Sequence, residues 1–164
     1  MKSLDQIRKE VDELKDSANQ KIDPEIKELI VGLRLHNIPT AFSCAGHKEK
    51  PWSSPYVDIY ADDSNVSFED YSEEMNQIRT QWIKGNVRIL EKLTELLSAF
   101  YANRKASYPL MLAPHCSIDT VQIRLKSIGT DLLKGMNQKS FKRELKRYQK
   151  ELLAFGTFLV SFPS

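Results

Sequence analysis

The chain predicts an α+β domain, with a mainly antiparallel sheet of about four strands packed against long amphipathic helices. Three observations carry this. Apolar residues recur at steps of three and four in several segments, short alternating runs lie between those segments, and Pro, Gly, Asn and Ser punctuate the joins. At 164 residues the chain has the size of one ordinary domain, and 1–164 is read as a single one.

Leu4, Ile7, Val11 and Leu14 form the stripe of a first amphipathic helix, and residues 1–22 are expected at the periphery of the domain. Asp23-Pro24-Glu25 then reads as a helix start. Asp23 serves as N-cap, Pro24 occupies the first position, where no N–H is needed, and Glu25 complements the dipole. The second helix runs from 24 to about 36, buries Ile26, Leu29, Ile30 and Leu33, and ends at Asn37, which tolerates the left-handed conformation. A first strand is expected at 39–42 and a second at 56–61, where Val57 and Ile59 alternate with Tyr56, Asp58 and Tyr60. Asp62-Asp63-Ser64-Asn65 makes a turn.

Tyr71, Met75, Ile78, Trp82, Ile89, Leu93, Leu96 and Phe100 keep one stripe in register, so a long helix is expected from about 67 to 103. Gly85 marks either a kink in it or a close approach by another element. Strands are read at 108–113 and 120–126, joined by a turn at Pro114-His115-Cys116-Ser117. Ser140 is the expected cap of the last helix, whose Phe141, Leu145, Tyr148 and Leu152 face the core. Gly156 precedes an apolar tail, 158–162, expected to add an edge strand or cover the core.

Composition narrows the function classes. With 41% hydrophobic and 28% charged residues, disordered and fibrous classes are excluded. The apolar runs fall short of a membrane span, and the charged segment after Met1 lacks the features of a secretory signal, so a cytoplasmic protein without a membrane partner is expected. Two cysteines are too few for a disulfide scaffold and fit reduced thiols. A net charge of +2 falls well short of a dedicated nucleic-acid binder. Lys134, Lys139, Lys142, Arg143, Lys146, Arg147 and Lys150 nevertheless crowd the C-terminal region. A solvated helix face accounts for them, and nucleic acid stays open as a partner.

Ser43-Cys44-Ala45-Gly46-His47 is where small, reactive and backbone-permissive residues gather, in a loop between two strands. Gly46 lets a ligand approach the backbone, and Cys44 and His47 can exchange protons or bind a metal. Three chemistries compete there. Cys44 and His47 with His115 and Cys116 offer four ligands suited to zinc, the one cofactor this chain suggests. Alternatively Cys44 is a nucleophile with His47 or His115 as base, in a field supplied by His47 and Lys48. The third is a nucleotide-like or other anionic ligand cradled by Ser43, the backbone N–H groups through Gly46, and His47-Lys48, with Trp52, Tyr56 and Tyr60 flanking it. A buried Cys44 beside an incidental His47 is the plain structural account of the same residues.

The run Thr40, Ser43-Cys44, Gly46-His47 with Pro55-Tyr56-Val57 resembles a pattern in short bacterial and phage proteins of unassigned function. Thr40 with Ser43-Cys44-Ala45-Gly46 is also similar to the Thr-Ser-Ser-Cys-Ser-Gly-Arg loop of the wybutosine-synthesis methyltransferase-like family, which modifies a guanosine in transfer RNA using S-adenosylmethionine. His47 stands where that family has Arg, and Ala45 where it has Ser. The likeness implies that Ser43, Cys44 and Gly46 line a substrate or cofactor pocket.

The favoured expectation is a pocket for an anionic or nucleotide-like small ligand, catalytic through Cys44 and His47, with Ser43, Ala45, Gly46, Lys48, Tyr56 and His115 around the ligand. A zinc-stabilised module is the alternative. A third reading is a non-catalytic interaction protein, a homo-oligomer whose helical stripes meet a second copy.

Overall fold

Helix α1, Leu4–Glu13, opens the chain with a capping box. The Ser3 hydroxyl accepts the Gln6 N–H at 3.2 Å, and the Gln6 side chain accepts the Ser3 N–H at 2.8 Å. The computed structural model describes residues 2–15, 19–49, 54–61, 66–67, 69–116 and 122–163. Ile7 and Val11 are buried in the main core, so α1 is part of that core and not peripheral to it. Leu4 and Leu14, partly buried, pack against the same core.

Helix α2, Pro24–Leu35, buries the predicted stripe, and Asn37 follows it at φ 56°. Asp23 stands at the N-cap but makes no side-chain cap bond; its carboxylate is used elsewhere. β1 is Ser43–Cys44, directly after the expected stretch, 39–42. The expected stretch still hydrogen-bonds to the next strand, through Ala41 N–H to the Asp58 carbonyl at 2.9 Å and Asp58 N–H to the Phe42 carbonyl at 2.7 Å. β2 is Tyr56–Ile59. The expected turn at 62–65 lies outside the described residues.

Helix α3, Glu73–Ala102, runs unbroken through Gly85, capped by Ser72. A Cβ at Gly85 would come within 3.1 Å of the Ala61 Cβ, so this glycine serves close packing and makes no kink. A single 3₁₀ turn at Tyr108–Leu110 then leads into β3, Leu112–Cys116. Pro114, His115 and Cys116 are therefore strand residues and not the expected connecting turn, whose last residue, Ser117, lies outside the described residues. Pro114 is tolerated because β3 is an outer strand, where a missing N–H breaks no ladder. β4 is Ile123–Ser127, and a 3₁₀ segment, Thr130–Gly135, precedes helix α4, Gln138–Ser161.

One expectation about α4 is corrected and another is decided. Its cap is Asn137, whose side chain accepts the Ser140 N–H at 3.0 Å. Its apolar tail covers the core, the second of the two expected alternatives, but as helix and not as an edge strand, because α4 continues past Gly156 to Ser161. A Cβ at Gly156 would lie 2.6 Å from the Leu29 nitrogen, and one at Gly32 would lie 2.7 Å from the Leu159 Cβ. The two glycines let α2 and α4 approach backbone to backbone, and that contact holds the tail as helix.

All strand pairs are antiparallel and the sheet order is β1-β2-β4-β3, which bears out the α+β expectation. One face presents Val57, Ile59, Ile123, Leu125 and Leu112 to the helices. The other carries Cys44, Tyr56, Asp58, Arg124 and His115 in register. There the Asp58 carboxylate, its side chain 3% exposed, is held by Arg124 through bonds of 2.7 and 2.8 Å, and the guanidinium lies 4.0 Å from the Tyr56 ring centre. Among the described residues no helix is long and apolar enough to cross a membrane.

Candidate functional site

Cys44 ends β1, and the chain then turns at Gly46, whose φ of 80° is open to glycine and strained for other residues. That turn brings His47 back over the strand. Its Nε2 lies 3.6 Å from Cys44 Sγ, and the Gly46 N–H donates to the same sulfur at 3.3 Å. A thiol and an imidazole thus share one turn, within reach of proton exchange.

Two distant segments fix this loop. Ala45 is buried; its N–H donates to Asp23 Oδ2 at 3.0 Å, and its carbonyl accepts Gln149 Nε2 at 2.9 Å. The Asp23 carboxylate, expected to cap α2, holds the loop instead. The cradle of backbone N–H groups expected at Ala45 and Gly46 is likewise not free, since both N–H groups have partners within the chain. Capacity for an anion must come from side chains.

Those side chains surround a cavity of about 640 Å³ beside β1, onto which Ser43, Cys44 and His47 open. Arg34, Lys15 and Lys21 bring positive charge to it. Arg34 follows Ile30 by four residues, so both lie on the same face of α2, and its Nε reaches Thr40 Oγ1 at 3.4 Å. Lys15 and Lys21 are brought side by side by an antiparallel bridge that closes the connection between α1 and α2. Leu14, Ile22, Ile30 and the exposed Phe42 give the cavity apolar wall. None of the three cations has a carboxylate partner among the described residues. Residue spacing could have pointed to Arg34, a charge in register with a buried stripe. Lys15, Lys21 and Asp23 left no such signal.

Other predicted site residues are not gathered here. Lys48 is exposed beyond the turn and is not part of the cavity wall. Tyr56 pairs with Cys44 across the strands but sits under Arg124, and burial pushes its phenol up more than that guanidinium lowers it. Trp52 lies outside the described residues. His115 and Cys116 belong to β3, at the opposite edge of the sheet from β1. Three strand spacings of about 4.8 Å put them roughly 14 Å away. The four-ligand zinc arrangement is therefore not assembled, and His115 cannot serve as base to Cys44. Partial burial and Lys126 hold the His115 imidazole below its ordinary value, and burial pushes the Cys116 thiol up.

Comparison with protein-family models, with curated proteins and with solved structures finds no match to this chain.

Proposed function

We propose that the cavity beside β1 binds a small anionic or nucleotide-like ligand, with Cys44 and His47 set against its reacting group. The observation that carries this reading is the charge around one cavity. Lys15, Lys21 and Arg34 open onto it against, among the described residues, one carboxylate, Asp23, which is already bonded to the Ala45 N–H. Three cations that converge on one partly apolar wall, with no carboxylate partner among the described residues, set up a positive potential that attracts an anion there. The volume falls in the range of small-molecule sites, and the apolar wall suits a ring or short carbon frame. Should the ligand carry an electrophilic centre, the Cys44 proton passes to His47 Nε2, the sulfur bonds that centre, and the leaving group departs with its electron pair.

Calorimetric titration with inorganic phosphate, pyrophosphate, nucleoside phosphates and dicarboxylates tests the reading. Saturable binding is expected for at least one of these classes. It should weaken by about tenfold or more in Arg34→Ala, the loss of one charge-assisted bond, and persist in Cys44→Ser. Binding by none of them, or equal binding by Arg34→Ala, overturns it.

A further inference from the structure

Helix α4 is bonded to the candidate loop at one point, and its charges are sorted around that point. Gln149 donates to the Ala45 carbonyl. At about 100° per residue, Lys142, Lys146 and Lys150 all fall within about 100° of Gln149, whereas Glu144 and Glu151 lie about 140° or more from it. Both acids are also occupied. Glu144 bonds Arg143 and Arg147 at 3.1 and 2.7 Å, and the buried Glu151 holds Arg104 at 2.7 Å. The three lysines are exposed and have no ion-pair partner among the described residues. They form a row about 12 Å long on the flank of α4 that carries Gln149, which is bonded to the loop at Ala45.

Resting on the anionic-ligand reading above, we propose that the partner at this site is a single-stranded nucleic acid. Its terminal phosphate enters the cavity and its following phosphates lie along Lys142, Lys146 and Lys150. A small anion would need the cavity cations alone; the lysine row beside the loop adds repeated positive charge that suits a polyanion. Phe42, 61% exposed and on the cavity wall, offers a face on which the first base can stack. The Ser43–His47 turn then receives the end of the strand, where Cys44 and His47 meet the terminal group.

Fluorescence anisotropy with a labelled oligothymidylate, with and without a terminal phosphate, tests this on the full chain. Tighter binding of the phosphorylated strand is expected. The triple variant K142E/K146E/K150E should weaken it by about tenfold or more and flatten its salt dependence, with calorimetric pyrophosphate binding unchanged. Matching melting curves confirm that the variant folds. Pyrophosphate binding without oligonucleotide binding, or a triple variant that binds the strand as the parent does, overturns the inference alone. Binding to phosphatidylserine vesicles in place of the strand also overturns it, by assigning the row to a membrane surface. Absence of binding by every one of the small anions, pyrophosphate included, overturns the underlying reading and this one with it.

Discussion

Each outer strand of the sheet carries a cysteine with a histidine close in sequence, Cys44 with His47 on β1 and Cys116 with His115 on β3, yet the two pairs have opposite fates. On β1 two residues separate the partners, and Gly46 at φ 80° curls the chain so that sulfur and imidazole meet at 3.6 Å. On β3 the partners are adjacent in an extended strand, so their side chains leave opposite faces and cannot converge. Their surroundings diverge as well. The β1 pair opens onto a cationic cavity, whereas on β3 burial favours the neutral thiol of Cys116 and the neutral ring of His115. Residue type is the same at both edges; one glycine turn and the surrounding charge make the difference.

The comparison can be broken most severely through the bond that ties β2 to β4 between the two edges. Arg124→Met leaves the buried Asp58 carboxylate without its counter-charge and should cost about 3 kcal/mol in urea unfolding, at the low end for a buried pair because Arg124 is itself part-exposed. An unchanged midpoint would show that the edges do not depend on this tie.

Thiol kinetics sharpen it next. Exposure favours alkylation of Cys116, which is the more open cysteine, whereas the imidazole and amide contacts favour Cys44. Cys44 should react faster with iodoacetamide at neutral pH, and His47→Ala should slow it by roughly three- to tenfold with Cys116 unaffected. Peptide mapping that finds Cys116 modified first would mean that access and not charge governs the pair.

Gly46→Ala forces a side chain into the left-handed region and should cost about 1 kcal/mol of stability while drawing His47 from Cys44. A wild-type melting temperature together with a wild-type Cys44 alkylation rate would remove the glycine turn as the cause of the difference.

The smallest effect belongs to His115. Because its folded-state value is held below the ordinary 6.5, the unfolded chain binds more protons near that pH. Wild-type stability relative to His115→Gln should hold above about pH 6.5 and decline as pH falls below it. A difference that does not vary with pH would remove the imidazole from the account of that edge.

Much of the architecture was legible along the chain. The stripes at Leu4 to Leu14, Ile26 to Leu33 and Phe141 to Leu152 became the buried faces of helices, and Pro24 and Asn37 bounded α2 as their backbone chemistry requires. Errors arose where a local signal met a distant partner. The tail after Gly156 could be read as an edge strand but stays helix where that glycine sits against Leu29 of α2, and Asp23 looked like a cap but bonds Ala45, twenty-two residues on. Pro114 looked like a turn because nothing nearby reveals that its strand is an outer one.

By itself the amino-acid sequence determined the α+β class, the helices with their inward faces, and the Ser43 to His47 turn as the place where a thiol and an imidazole can meet. These are short-range properties, set by the period of the backbone and by the conformations open to glycine and proline. Only the tertiary structure decided that β1 and β3 lie at opposite edges, that Lys15, Lys21 and Arg34 share a cavity with Cys44, and that the lysine flank of α4 adjoins the same loop. Strand order and convergence depend on contacts between residues far apart along the chain, which no local pattern records.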